Sequence, residues 1–394
     1  MINHTKSNGK PARQPFPGDP MPVSGSILLD IVRFAAAIAV AVGHFTSSTF
    51  STHWPYLINL AFGAVAVFFV LSGFVIRLIT LTRLMTATEY AIDRVSRIYS
   101  VLLPAALLTI VVAFCLYRLP VSHAYQPAFP VGTIATQFLA CITFTGSFWG
   151  LDLPMTFNSV FWSLSYECAY YAFYGIAFLG RGPWKWVLLC GLAITVGPPI
   201  FFLLPLWLFG CFICDAYHWL RRSQYPLTTY FGSILVICLL GVILRTVVAA
   251  LQHTPAAAAL HIPEAHLLQW TRFHHLHLLK RSGLQAYEVG IPVGTLILGL
   301  LLACEHVTIS KQHGSVSLIR RIADGTFTLY LIHLPIFMLF AAYLPYDHAS
   351  AWQKLSLLVL TLAVAVALAG PTDALKRWMR NGLSSHSFQK ARVP

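Results

Sequence analysis

Long apolar runs dominate the chain, and polar residues gather between them. Ten runs qualify as membrane-spanning helices, since a spanning helix needs about 20 mostly apolar residues. A tight connection at Leu204 and Pro205 separates the fifth run from the sixth. The pattern predicts an all-α polytopic membrane bundle of about ten transmembrane helices. The predicted spans are 27–47, 58–80, 98–117, 158–179, 186–203, 206–219, 231–252, 286–304, 324–344 and 353–371.

The basic residues predict the orientation of this bundle. With ten spans, nineteen lysines and arginines lie on the side of the two termini, and five lie on the opposite side. Because cytoplasmic loops carry the excess of basic residues, both termini are expected in the cytoplasm. The long loops 118–157 and 253–285 are then external. The interrupted apolar stretch 131–148 is expected to form a re-entrant or capping loop.

Composition agrees with a membrane protein. The 394 residues are 57% hydrophobic and 10% charged, whereas soluble domains carry about 25% charged residues. The net charge of +13 is not clustered on a soluble domain, so no nucleic-acid partner is expected. Residues 1–25 lack the apolar core of a signal peptide. They are expected to form a disordered cytoplasmic tail, followed by a transmembrane domain over 26–372 and a basic cytoplasmic tail over 373–394.

Two groups of residues raise the possibility of a metal site. Cys211 and Cys214 lie one helical turn apart in an apolar segment, where packing is a better interpretation than a metal or redox pair. The external residues His274, His275 and His277 lack convincing ligand spacing. We therefore expect no metal site.

The stretch RFAAAIAVAVGHF places Arg33 and His44 in the first span, eleven positions apart. That separation corresponds to a rise of about 16.5 Å and about three helical turns, so both side chains lie on one face. Charged residues inside a membrane usually mark function, although an arginine near a helix end can extend to the interface. Spacing alone leaves both interpretations open. Asp30 lies three residues before Arg33 and is placed to pair with it.

Three further motifs place ionisable residues in or beside spans. Arg94 and Arg97 of RVSR lie at i and i+3, where they form either an anion clamp or ordinary cytoplasmic anchors. Glu167 of FWSLSYECAYY lies mid-span, where a carboxylate needs a partner, a proton or a polar cavity. His333 is also mid-span, and it is either a buried histidine bonded across helices or part of a site.

Together these motifs resemble the acyltransferase-3 family of integral membrane O-acyltransferases. The matching pieces, in the family's order, are LDIVRFAAAIAVAVGH, FFVLSGFVI, RVSRIYSVLLP, FWSLSYE and LYLIHLPIF. Arg33 and His44 match the family's R-x10-H signature, and Arg94 and Arg97 match its R-x-x-R signature. The family's frequent C-terminal esterase-like domain does not occur in this sequence, so the resemblance implies the stand-alone form.

The resemblance implies transfer of an acyl group, usually acetyl, from cytoplasmic acyl-CoA to a hydroxyl of a carbohydrate. Typical acceptors are surface or exported polysaccharides, lipopolysaccharide and lipo-oligosaccharides, and the expected location is the bacterial inner membrane. His44 is expected to act as the general base or to carry the acyl group, and Glu167 is the second candidate catalytic residue. Arg33, Arg94 and Arg97 are expected to bind acyl-CoA. The candidate substrate-binding residues are Asp30, Ser72, Trp162, Ser163, Tyr330 and His333.

A transporter or flippase for a glycan or a lipid-linked glycan is the alternative function. Charged and ionisable residues inside the membrane also mark transport pathways. Against this alternative, the sequence has no clear internal repeat and no matching pair of helices broken by Gly or Pro.

Overall fold

The computed structural model is a bundle of α-helices, and no β-strand occurs among the residues it describes. The described residues are 21–46, 50, 57–83, 85–118, 132–222, 232, 283–310, 314–344, 347 and 350–390. The helices are α1 (Val23–Phe45), α2 (Ile58–Thr82), α3 (Ala87–Arg118), α4 (Ile134–Ile142), α5 (Trp162–Leu179), α6 (Trp184–Val196), α7 (Pro198–Arg222), α8 (Gly283–Cys304), α9 (Gly314–Asp324), α10 (Thr326–Tyr343), α11 (Ala351–Ala367) and α12 (Ala369–Lys390).

Within the described part of the chain, seven helical stretches are long and apolar enough to cross a membrane. They are α1, α2, α3, α7, α8, α10 and the stretch that begins with α11. Six predicted spans are thus confirmed, with ends shifted by several residues. The helix α5 covers most of the predicted span 158–179. The predicted span 231–252 lies outside the described residues except at position 232. The histidine-rich loop 253–285 lies outside them as far as residue 282, and its last three residues belong to α8. Ten spans and cytoplasmic termini remain predictions.

The predicted break at Leu204 and Pro205 is wrong. The chain instead turns at Gly197, whose φ of 79° is unfavourable for residues with a Cβ. Two prolines then open α7, where a missing N–H and a fixed φ suit the first helical turn. Pro205 lies inside α7, as membrane helices tolerate. The two predicted spans 186–203 and 206–219 are therefore a short α6 of 13 residues and a long α7 of 25.

The ends of the predicted domains also differ from the structure. The helix α1 begins at Val23, inside the predicted tail 1–25, and the first twenty residues lie outside the described part. The predicted C-terminal tail 373–394 is helical as far as Lys390. The stretch 131–148 contains the nine-residue helix α4 and is too short to span a membrane as one helix.

Close helix contacts set the position of α2 in the bundle. It packs against α1, α7 and α8. A Cβ atom on Gly73 would lie 2.0 Å from the carbonyl oxygen of Trp207, and one on Gly210 would lie 2.0 Å from that of Val70. Small residues of this kind let membrane helices approach closely. The crossing brings Ser72 of α2 within hydrogen-bonding distance of the Trp207 indole, which donates to it over 3.2 Å.

Candidate active site

Two neighbouring cavities lie inside the bundle. The first, which we call the arginine cavity, is lined by Arg33, Arg94 and Arg97. The second, which we call the histidine cavity, is lined by His44 among other residues. Tyr330 lines both cavities, as does Val65. The two spaces therefore share part of a wall.

Arg94 is the most buried arginine of the arginine cavity, with 7% of its surface exposed. Its guanidinium forms an ion pair with Asp93 and lies 5.6 Å from the ring centroid of Tyr171. The other oxygen of Asp93 faces Arg380 of α12 at 3.7 Å. The Nε atom of Arg94 is buried and makes no hydrogen bond to a described residue. The Asp93 carboxylate thus interacts with both Arg94 and Arg380, and the Nε–H group of Arg94 has no partner among the described residues.

Arg33 and Arg97 bring two further positive charges to this cavity. Arg33 is 3.6 Å from Asp30, so the predicted pair on α1 is confirmed. Arg97 lines the cavity and has no ion pair within 4 Å among the described residues. Guanidinium groups bind carboxylates and phosphates through paired, charge-assisted hydrogen bonds. The cavity therefore offers a binding site for an anion.

Glu167 lies in the wall of the arginine cavity and does not line the histidine cavity. Tyr171, one turn further along α5, donates a hydrogen bond to its Oε1 atom. Ser72 of α2 donates to the same oxygen over 3.0 Å. Because the Trp207 indole donates to Ser72, this network joins α2, α5 and α7 around one carboxylate.

His44 faces the histidine cavity from the outer half of α1, according to the predicted topology. Its ring centroid lies 5.4 Å from that of His333. His333 is fully buried and lines neither cavity. The His333 Nδ1 atom lies 3.1 Å from the carbonyl oxygen of Leu329, which only accepts, so Nδ1 carries a proton. Its Nε2 atom has no hydrogen bond to a described residue.

The shared wall combines one polar link with aromatic packing. The hydroxyl of Tyr330 lies 2.7 Å from that of Ser163, which lines the arginine cavity. The Phe68 ring meets the Tyr330 ring edge to face, with centroids 5.5 Å apart. Trp162 lines the histidine cavity only. A thin layer of side chains therefore separates a cationic space from a space with a histidine.

A comparison with protein-family models finds one match over most of the chain. The acyltransferase-3 model, described as an acyltransferase domain, matches residues 27–370. The chain belongs to the acyltransferase-3 family. No curated protein and no solved structure matches it. The family match contains every residue that lines the two cavities, and it makes the chain a multi-pass membrane acyltransferase.

The structure divides the predicted site residues into two groups. The arginine cavity holds most of them: Arg33, Ser72, Arg94, Arg97, Ser163, Glu167 and Tyr330. The histidine cavity holds His44, Trp162 and Tyr330, while Asp30 and His333 line neither cavity. The sequence interpretation missed Tyr171 and Asp93. Both could have been found from spacing, since Tyr171 follows Glu167 by one helical turn and Asp93 directly precedes Arg94. It also missed Asp152, which lines the histidine cavity and carried no spacing signal.

Proposed function

We propose that this acyltransferase moves an acetyl group from cytoplasmic acetyl-CoA to a hydroxyl of a carbohydrate at the outer side of the bacterial inner membrane. The observation that carries the proposal is the pair of cavities with one shared wall. The arginine cavity takes the anionic donor, and the histidine cavity takes the acceptor. Donor and acceptor enter from opposite sides, and the reaction requires the thioester to pass the shared wall at Tyr330 and Val65 to reach His44.

The donor side is proposed from charge. Acyl-CoA carries several phosphate charges, and guanidinium groups bind phosphate with paired hydrogen bonds. Arg94 and Arg97 are at the end of α3 that the basic residues predict to be cytoplasmic. We assign them to the donor phosphates, and we assign Asp30 to holding Arg33 in position.

The acceptor side is proposed from His44. A neutral imidazole accepts a proton from the acceptor hydroxyl, and the hydroxyl oxygen attacks the thioester carbonyl carbon. The bond from carbon to sulfur then breaks, and the thiolate leaves as CoA after it takes up a proton. An alternative order forms an acyl-imidazole on His44 first and passes the acyl group to the acceptor next. Trp162 supports a carbohydrate acceptor, because a sugar ring packs its apolar face on an indole.

Glu167 and His333 receive positioning roles in this proposal. Glu167 is hydrogen-bonded by Tyr171 and Ser72 on the donor side, where it fixes the wall beside Arg94. His333 packs beside His44 and limits the orientations of its ring. Both assignments place the proton transfer on His44 alone.

Thermal stabilisation of the purified protein tests the donor assignment. A ligand that binds the folded state raises the unfolding midpoint in proportion to the logarithm of its concentration. Acetyl-CoA is expected to raise the midpoint of the wild-type protein, and an Arg94→Ala, Arg97→Ala double variant is expected to respond at much higher concentration. Absence of any shift with the wild-type protein would contradict acetyl-CoA as donor and would favour the transporter alternative.

A further inference from the structure

All but the first two residues of α12 lie beyond the family match, and the helix packs along α3, which carries Arg94 and Arg97. Asp373, Lys376, Arg377 and Arg380 lie at i, i+3, i+4 and i+7 of this helix, so they form one row. The row carries three positive charges and one negative charge. None of these residues belongs to a motif of the family.

Contacts join this row to the arginine cavity. Arg380 Nη1 lies 3.7 Å from Asp93, and Asp93 is also the partner of the cavity residue Arg94. Lys376 is half-buried and interacts electrostatically with the cations Arg97 and Arg94 and with the carboxylates Asp373 and Asp93. No ion pair within 4 Å joins Lys376 to any residue that the structure describes.

Anchoring to lipid headgroups does not explain this arrangement well. A helix that only anchors the chain turns its cations toward the membrane surface. Here Arg380 reaches Asp93 of α3 while half of its side chain stays exposed, and Lys376 is half-buried within electrostatic range of Arg94 and Arg97. Asp93 and Asp373 offset part of the repulsion among these cations, and a bound anion would offset the rest. The row therefore adds to the positive charge at the edge of the arginine cavity.

We propose that Lys376 and Arg380 extend the donor site and bind phosphate groups of the CoA nucleotide. This inference rests on the proposed function, in which acetyl-CoA is the donor. The acyl-pantetheine arm enters the arginine cavity, and the nucleotide with its phosphates stays at the edge, between α3 and α12. The α12 helix is then part of the donor site even though all but its first two residues lie beyond the family match.

Binding and turnover measurements on the purified full-length protein test this proposal. Lys376→Gln and Arg380→Gln are each expected to raise the Kd for acetyl-CoA about tenfold, because each loses one charge-assisted phosphate contact. Turnover of S-acetylpantetheine, which has no phosphate, is expected to match the wild-type protein and to show that the variants are folded. Lys376→Arg keeps the charge and is expected to restore binding. Arg321→Gln, an exposed arginine of α9, is the matched control with no expected effect.

The outcomes separate this inference from the proposed function. A wild-type protein that binds acetyl-CoA, with unchanged Kd in both glutamine variants, overturns the role of α12 and leaves the donor assignment intact. Weaker thermal stabilisation of the variants by short-chain phosphatidylglycerol added in detergent, with an unchanged Kd for acetyl-CoA, assigns the row to lipid headgroups and also overturns the proposal. A wild-type protein that does not bind acetyl-CoA overturns the donor assignment and the role of α12 together.

Discussion

Glu167 offers a test of whether its carboxylate positions the site or transfers a proton. Tyr171 and Ser72 both donate to Oε1 of Glu167. Glutamine keeps a carbonyl oxygen at that place, so Glu167→Gln loses the charge and retains both acceptor contacts. Glu167→Ala loses both contacts, and the Tyr171 hydroxyl keeps only its 3.1 Å contact with Ser72. With about 1.5–3 kcal/mol for each hydrogen bond to a charged group, alanine is expected to cost about 3–6 kcal/mol of stability and glutamine about 1–3 kcal/mol.

Two measurements separate the positioning role from a catalytic one. Thermal unfolding in detergent is expected to rank the proteins as wild type, Glu167→Gln and Glu167→Ala, in order of falling midpoint. Release of free CoA thiol from acetyl-CoA, measured in membranes of expressing cells, is expected to fall by less than about tenfold in the glutamine variant. General acid–base catalysis contributes about 10²–10⁴-fold. A folded Glu167→Gln protein with normal donor KM and a loss of that size would refute the positioning role.

Three other predictions, which use four substitutions, test separate parts of the account. Arg97→Gln is expected to raise the acetyl-CoA KM about tenfold and to leave kcat nearly unchanged, because it removes a donor contact and not a reacting group; an unchanged KM contradicts that role. Tyr330→Phe removes the hydroxyl beside Ser163 and is expected to cost about 1 kcal/mol of stability in thermal unfolding; equal midpoints contradict the contact. Gly73→Ala forces α2 away from α7 and is expected to cost about 1–3 kcal/mol of stability or more. Gly191 has open space around it, so Gly191→Ala is expected to stabilise α6 by about 0.5–1 kcal/mol. Similar shifts in the two unfolding midpoints would contradict the close helix crossing.

Much of the fold is readable from hydropathy because membrane helices must be both apolar and long. Six predicted spans follow that rule: the first three and those that correspond to α8, α10 and α11. The boundary between α6 and α7 does not, because a proline inside an apolar run reads as a break. Pro205 is tolerated within α7, whereas Gly197 supplies the positive φ that the turn needs. The local sequence does not show whether the chain turns at Gly197 or at Pro205.

The sequence predicts many residues of the candidate site, but it does not predict that they divide between two cavities. Helix periodicity predicts that Arg33 and His44 lie on one face, and both residues do line internal cavities. Periodicity does not say that Tyr330 from a distant helix closes the space between them. It also does not say which cavity receives Glu167, because that depends on how α5 packs against α2. The pairing of Asp93 with Arg380 joins residues 287 positions apart and has no local signal.

The role of His44 is the central claim, and mass spectrometry of surface glycans tests it most directly. Cells that express the wild-type protein, His44→Ala or no protein are compared at equal amounts of membrane-inserted protein. Acetyl esters are expected on the glycans of the wild-type cells and at background level with His44→Ala, while acetyl-CoA still stabilises the purified variant. Equal acetylation by the wild-type protein and by His44→Ala would contradict the claim.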